Sequence, residues 1–178
     1  LTKAMLEELD AILARTKAQA VILTGEGKVF SAGADLDEAR AGLATDAVWD
    51  RLSNRLAGLP CLTIAALNGT LAGGAMGMAL ACALRISVAT AKVFYPVMRL
   101  GYLPQPADPA RLVALIGPAR AKMILMAGTK IDADEALTWG LIDRIVEPKA
   151  LLETARALCS DALAAKTGHA AAIKRLLA

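Results

Sequence analysis

One long uncharged stretch constrains the fold of this chain more than any other feature of its sequence. No side chain in residues 56–84 is charged, and the run exceeds the roughly 20 apolar residues that a helix needs to cross a bilayer. Glycines spaced four residues apart within it favour helix association in lipid. However, Pro60 and the turn-forming pair Asn68-Gly69 divide the run into a strand-length and a helix-length piece. We therefore expect a buried strand followed by a core helix, and a membrane span is the less favoured alternative.

Short apolar runs alternate with amphipathic segments along the rest of the chain, which predicts an α/β fold with mostly parallel strands. Residues 26–40 are expected to form a loop leading into a polar segment, and residues 94–112 an irregular stretch in which Pro109 can open a helix. We predict one domain over residues 1–178, with strands at 20–25, 61–67, 84–90 and 141–146, and helices at 4–15, 46–57, 74–83, 118–127, 132–140 and 149–165.

Two helices carry clear face or capping signals. In the first, Met5, Leu9, Ile12 and Leu13 share one helical face, which predicts an amphipathic helix. In the helix at 132–140, an aspartate at the start and a glutamate three residues later form a capping box, and a glycine ends the helix.

Composition narrows the range of functions. Hydrophobic residues make up 56% of the chain but aromatic residues only 3%, so the core must be largely aliphatic. The net charge of +3 comes without a basic cluster interleaved with aromatic residues, and we expect no nucleic-acid partner. The three widely separated cysteines are expected to be buried thiols in a reducing compartment such as the cytoplasm. The lone His169 has no companion ligand, and we expect no metal site.

Two loops rich in small residues follow two of the predicted strands. "VFSAGADL" (29–36) follows the first, and "NGTLAGGAMGMAL" (68–80) follows the second. Glycine allows a backbone N–H to approach a ligand closely, and the start of a helix leaves N–H groups without internal partners. Such donors can hold an oxygen that becomes anionic. On the second segment alone, tight packing and a donor site explain the glycines equally well. The spacing G-x-x-x-G-G-x-x-G does not fit a dinucleotide-binding fingerprint.

Taken with these loops, the chain resembles the crotonase family, the enoyl-CoA hydratase/isomerase superfamily. The resemblance extends over nearly the whole chain and includes "AVILTGEGKVFSAGADL", "NGTLAGGAMGMALAC", "RLGYLP" and "LMAGTKIDADEALTWGLIDRIV". It implies a spiral of ββα units with two roughly perpendicular sheets, and assembly as a homotrimer or a dimer of trimers. It also implies a lyase or isomerase of fatty acid metabolism. On this resemblance, we expect the family's N-terminal hairpin and last C-terminal helices to lie outside residues 1–178.

The resemblance further implies an acyl-CoA substrate, with coenzyme A as part of the substrate and no tightly bound cofactor. The backbone N–H groups of Ala32 and Gly74 would form an oxyanion hole around the thioester carbonyl, with Gly73 leaving room for the second donor. Further substrate contacts would come from the loop formed by Ser31, Gly33, Ala34, Asp35 and Leu36, although Asp35 is better explained as stabilising the start of a helix.

The sequence departs from the family at the expected acid–base positions. Where hydratases of the family carry two glutamates, this chain has Gly77 and Val97. Gln105 occupies the position of an aspartate nucleophile in dehalogenating relatives, where it can hydrogen-bond an acyl group or a water but cannot act as a base.

The nearest alternative acid or base is Asp108. It stands before Pro109 at a helix start, where capping is the commoner role and catalysis the alternative. Tyr95 and Tyr102 are weak acids for which core packing or surface exposure is the simpler explanation. We therefore expect either an acyl-CoA enzyme with an altered acid–base set and weak hydratase activity, or a protein that binds acyl-CoA without turning it over.

Overall fold

A computed structural model of the chain describes residues 1–177, and its strands form two four-stranded sheets. The first sheet is entirely parallel, and the second is parallel except for its last pair. The first sheet contains, in spatial order, β1 (Ala20–Thr24), β3 (Leu62–Leu67), β5 (Leu84–Val88) and β8 (Arg144–Val146). The second contains β2 (Val29–Ser31), β4 (Thr70–Ala72), β6 (Lys92–Phe94) and β7 (Ile131–Asp132).

Helices connect the strands and cover the sheets. They are α1 (Lys3–Arg15), α2 (Leu36–Arg40), α3 (Val48–Gly58), α4 (Met76–Ala81), α5 (Val97–Leu100), α6 (Asp108–Leu125), α7 (Ala133–Trp139), α8 (Leu151–Leu158), α9 (Ser160–Ala164) and α10 (His169–Leu176). Short 3-10 turns lie at Leu43–Thr45, Gly73–Ala75 and Pro148–Ala150.

The chain repeats one structural unit, in which a strand of the first sheet is followed by a strand of the second and then by helix. The pairs β1–β2, β3–β4 and β5–β6 all follow this order. The predicted α/β fold of ββα units is therefore confirmed. The uncharged run is divided between strands and short helices, and no helix in residues 1–177 is long and apolar enough to cross a membrane.

Several predicted boundaries are wrong. None of the three short strands β2, β4 and β6 was predicted: β2 lies in the predicted loop, β4 directly follows the predicted turn, and β6 ends where the predicted irregular stretch begins. The helix predicted at 149–165 is divided at Cys159 into α8 and α9. The helix predicted at 118–127 is the second half of α6, which begins at Asp108 and is interrupted at Gly117, where φ is +78°.

The buried face of α1 also differs from the prediction. Leu6, Asp10 and Leu13 are buried, whereas Met5 and Ile12 are about half exposed. The reason is Asp10, whose carboxylate accepts hydrogen bonds from Arg51 and Arg55 of α3. Two partly exposed ion pairs between α1 and α3 thus turn Asp10 inward, and an apolar periodicity does not reveal them.

Asn68 joins the first two structural units. Its Oδ1 accepts a hydrogen bond from the N–H of Gly25 at 3.1 Å, and its Nδ2 donates to the carbonyls of Gly27 and Val29 at 3.1 and 3.2 Å. A β-carbon on the next residue, Gly69, would lie only 2.1 Å from the carbonyl oxygen of Lys28. The Asn-Gly pair therefore fixes the β3–β4 turn against the β1–β2 turn.

Candidate active site

Three neighbouring parallel strands of the second sheet end at the same edge. Ser31 of β2 pairs with Leu71 of β4, and Ala72 of β4 pairs with Phe94 of β6. The segments that leave this edge begin at residues 32, 73 and 95. The two loops predicted from the sequence therefore meet here with a third segment, which starts at Tyr95.

The two glycine-containing loops are in direct contact. Gly33 and Gly73 both adopt positive φ values, +97° and +61°. A β-carbon built on Gly73 would lie 3.4 Å from the α-carbon of Gly33. Glycine is required at both positions because other residues rarely adopt this conformation.

A cavity of about 150 Å³ lies against both loops. Its lining includes most of the predicted site residues, namely Ala32, Gly33, Ala34, Leu36, Gly73, Gly74, Val97 and Gln105. None of the described residues that line it carries a charged side chain, and its two ionisable groups are the phenols of Tyr95 and Tyr102. This cavity can hold an uncharged group.

The two predicted donors, Ala32 and Gly74, are placed differently. Ala32 is exposed and Gly74 is half-buried. Within residues 1–177, the backbone hydrogen bonds of turns and loops include none donated by either N–H. A β-carbon on Gly74 would lie 2.9 Å from the indole of Trp49, which is held by a 2.8 Å hydrogen bond from its Nε1 to the carbonyl of Leu43. Trp49 is thus an unpredicted wall of the cavity that requires glycine at position 74.

Four predicted site residues do not line the cavity: Ser31, Asp35, Gly77 and Asp108. The Oγ of Ser31 accepts a 3.1 Å hydrogen bond from the N–H of Gly33 and so shapes the first loop from within. The carboxylate of Asp35 caps α2 by accepting from the N–H groups of Asp37 and Glu38. The helix-start role expected for Asp35 is confirmed.

Asp108 does not cap its helix. Ala107 is the N-cap residue of α6, and the Asp108 side chain is turned inward with 1% of the residue exposed. Its Oδ2 accepts a 3.0 Å hydrogen bond from the hydroxyl of Tyr95. Its Oδ1 is buried and has no hydrogen-bond partner among residues 1–177. The capping interpretation is therefore wrong, because the carboxylate is directed to Tyr95 and away from the free N–H groups of the helix.

The space that receives Asp108 is provided by Gly77 of α4. A β-carbon on Gly77 would lie 2.6 Å from Oδ1 of Asp108 and 3.2 Å from Oδ2. The position to which the resemblance assigns a glutamate is thus occupied from the side by an aspartate of α6. A single sequence gives no direct signal of this pairing, since the two residues lie on different helices.

Burial dominates the ionisation of this pair. It raises the pKa of Asp108 from 3.8 to about 6, although the hydrogen bond from Tyr95 and the positive charge of Arg111 act in the opposite direction. The negative charge of Asp50 raises the pKa further. Burial, followed by the Asp108 carboxylate, also raises the pKa of the Tyr95 phenol well above its ordinary value.

Gln105 holds the third segment in place. Its backbone N–H donates a 3.2 Å hydrogen bond to the hydroxyl oxygen of Tyr95, and its Nε2 donates to the carbonyl of Ala44 at 3.2 Å. Tyr95 is buried, as core packing predicts, but its hydroxyl also belongs to a polar network. Tyr102 is 38% exposed at the cavity mouth.

Comparison with known proteins agrees with this fold. The profile of the enoyl-CoA hydratase/isomerase family matches residues 1–178. The chain therefore belongs to the enoyl-CoA hydratase/isomerase family.

Individual relatives are similar over most of this chain. It is 34% identical to a short-chain-enoyl-CoA hydratase of Clostridium acetobutylicum over 87% of its length and 63% of the relative. It is 37% identical to a carnitinyl-CoA dehydratase of Citrobacter koseri over 87% of its length and 61% of the relative. A crystal structure of an enoyl-CoA hydratase from Bacillus anthracis aligns with a TM-score of 0.91 at 32% identity, covering 99% of this chain and 72% of the other. The chain thus spans less than two thirds of the length of these two curated relatives.

Proposed function

We propose that the protein acts on an acyl-CoA thioester, with the N–H groups of Ala32 and Gly74 around the thioester carbonyl. The observation that carries this proposal is the uncharged cavity bounded by both glycine loops. The similarity to relatives named as hydratases and dehydratases of CoA esters supports the same substrate class. Coenzyme A would arrive as part of the substrate, along the loop from Ser31 to Leu36.

The chemistry follows from where charge develops. Removing a proton beside a thioester, or adding water to its conjugated double bond, places negative charge on the carbonyl oxygen. Preorganised N–H donors stabilise that charge, each by roughly 3 kcal/mol judged from donor removal in other enzymes. Glycine at position 74 suits this role because any side chain there would meet the indole of Trp49.

Hydration of a conjugated double bond also needs groups that activate water and deliver a proton. The two positions that would supply glutamates carry Gly77 and Val97. Each positioned acid or base contributes about 10²–10⁴-fold to a rate. We therefore infer an enzyme of the family with weak hydratase activity. Binding of acyl-CoA without turnover is the second candidate, and the uncharged cavity lining favours it.

The first test is binding of a stable thioester. Butyryl-CoA should raise the melting temperature of the protein measured by calorimetry. Free coenzyme A should raise it less, because it lacks the thioester carbonyl and the acyl chain. Ala34→Phe should reduce the butyryl-CoA shift by filling the cavity, whereas Ala157→Phe, on the exposed surface of α8, should leave it unchanged. The absence of any shift at millimolar butyryl-CoA would contradict the proposal.

We also infer a homotrimer or a dimer of trimers, on the family resemblance. Support comes from apolar side chains exposed on and after α5, where Met98, Leu100 and Leu103 are 56%, 55% and 86% exposed. Light scattering of the purified protein measures the assembly mass, and a monomer would contradict this inference.

A further inference from the structure

The buried carboxylate beside the cavity has no purely structural explanation. Asp108 is 99% buried, and its Oδ1 has no partner among residues 1–177. The nearby Arg111 does not neutralise it by contact, since its guanidinium donates to Ser53 at 2.9 Å and Asn54 at 2.7 Å. Asp50 of α3 adds negative charge on the same side. A buried carboxylate without a cation in contact is costly, so its presence next to the cavity points to a function.

Tyr95 connects this carboxylate to the cavity. Tyr95 is one of the residues that line the cavity, and its hydroxyl donates to Oδ2 of Asp108 at 3.0 Å. The hydroxyl oxygen of Tyr95 also accepts a 3.2 Å hydrogen bond from the backbone N–H of Gln105. A phenolic oxygen has two lone pairs, which leaves one for a proton arriving from the substrate.

We propose that Tyr95 is the acid–base residue that meets the acyl chain, and that Asp108 is the positioning residue that exchanges the Tyr95 proton. This assignment rests on the proposed acyl-CoA function. It replaces a glutamate on α4 by a two-residue relay from the β6 segment and α6, for which Gly77 leaves the space.

The relay balances as a proton transfer. The Tyr95 oxygen accepts a proton from a carbon of the acyl chain, while its own proton passes to Oδ2 of Asp108. The electron pair of the broken C–H bond becomes an enolate, whose oxygen faces the N–H groups of Ala32 and Gly74. In the reverse direction, Asp108 returns its proton to Tyr95, and Tyr95 delivers a proton to a different carbon of the same chain. The net reaction is a shift of a double bond, and the substrate class is an unsaturated acyl-CoA.

The test follows exchange of the α-protons of butyryl-CoA with D₂O by NMR. We expect exchange with the wild-type protein, and a decrease of about 10²–10⁴-fold in Tyr95→Phe and in Asp108→Asn, the range for loss of a positioned acid or base. Asp132→Asn, at the start of α7 and outside the cavity, should exchange at the wild-type rate. Asp108→Asn keeps a hydrogen-bond acceptor for Tyr95, so it tests the relay even if Tyr95→Phe does not fold.

The pH dependence of the exchange rate shows whether Asp108 exchanges a proton with Tyr95 or only holds the Tyr95 ring in place. Wild-type exchange should rise with pH as Asp108 loses its proton near its pKa of about 6 and then level off. In Asp108→Asn the remaining exchange should lack this step, while the melting-temperature shift with butyryl-CoA persists.

The outcomes separate the two proposals. If the wild type binds butyryl-CoA and the variants exchange as fast as it does, the relay is overturned and the acyl-CoA function stands. If the wild type binds without exchange, the relay is overturned in favour of a binding protein. If butyryl-CoA does not bind at all, the proposed function itself fails.

Discussion

Asp108 and Gly77 determine the chemistry available beside the cavity. The carboxylate fits only because position 77 lacks a side chain, and it remains without a cation in direct contact. The place of Asp108 in the sequence made it a candidate, but did not reveal that it pairs with Tyr95 and Gly77. Tyr95 is 13 residues away and Gly77 lies on another helix, so neither contact produces a periodic signal.

The first prediction concerns stability and pH. The folded protein holds the Asp108 proton up to about pH 6, whereas the unfolded chain releases it near pH 3.8, so the free energy of unfolding falls as pH rises through this window. Asp108→Asn removes this loss and should be more stable than the wild type by about 1–3 kcal/mol at pH 8, with a smaller gain at pH 4. Urea denaturation at the two pH values measures the difference.

Asp10→Asn is the matched control for this experiment. Hydrogen bonds from Arg55 and Arg51 lower the pKa of Asp10, so its carboxylate stabilises the fold above its ordinary pKa and loses that effect in acid. This variant should therefore be less stable than the wild type at pH 8. The difference between the two should shrink as the pH falls. If Asp108→Asn gains the same free energy of unfolding at both pH values, the burial of an ionised Asp108 is refuted.

The second prediction tests the contact between positions 77 and 108. Gly77→Ala would place a β-carbon 2.6 Å from Oδ1 of Asp108 and should lower the free energy of unfolding by about 1–3 kcal/mol. In an Asp108→Ala background the same change should cost less, because the obstructing carboxylate is gone and alanine favours helix. Gly58→Ala, where a β-carbon meets open space, is the control. Equal costs in both backgrounds would show that the two positions do not interact.

At the scale of elements, strand length decided what the sequence could reveal. Strands β1, β3 and β5 of the first sheet have five or six residues and lie within two residues of their predicted bounds, whereas β8 begins three residues later than predicted. Strands β2, β4 and β6 have three residues each and no readable alternation. They are positioned by pairing with neighbouring strands and by contacts between turns that are far apart in the sequence. The position of Tyr95 depends on β6 and was therefore not predictable.

The third prediction concerns the turn that holds two of these strands. Asn68→Ala removes three hydrogen bonds to backbone groups of the β1–β2 connection and should lower the free energy of unfolding by about 1–3 kcal/mol. Asn68→Asp keeps the acceptor for Gly25 but places a charge against two carbonyls, so it should also be destabilising. Gln19→Ala, at an exposed position just before β1, should change stability by only about 0.5 kcal/mol. Urea denaturation measures all three variants. An unchanged free energy of unfolding in Asn68→Ala would show that Asn68 does not hold the two turns together.

For the whole molecule, the sequence predicted the fold class and the meeting of the two glycine loops. It missed the buried face of α1, because Asp10 acts through tertiary contacts, and it missed the break of the C-terminal helix at Cys159. The roles assigned to the N–H groups of Ala32 and Gly74 remain predictions, since they concern a ligand.

The fourth prediction concerns the rate of hydration and belongs to the scale of the whole molecule, because hydration needs backbone donors and acid–base groups from several elements. The purified protein should hydrate crotonyl-CoA at a rate near background, since neither Gly77 nor Val97 can transfer a proton. Loss of absorbance of the conjugated thioester measures the rate. A rate typical of a dedicated hydratase would mean that another group supplies both functions.

The indole of Trp49 lies under Gly74 at the wall of the cavity, and the chain has just one other tryptophan, Trp139, on α7. A Trp139→Phe protein would thus carry a single tryptophan, at the wall of the cavity beside Gly74. Its emission would respond to occupancy of that pocket without any attached dye, so ligand entry and departure can be timed by stopped flow.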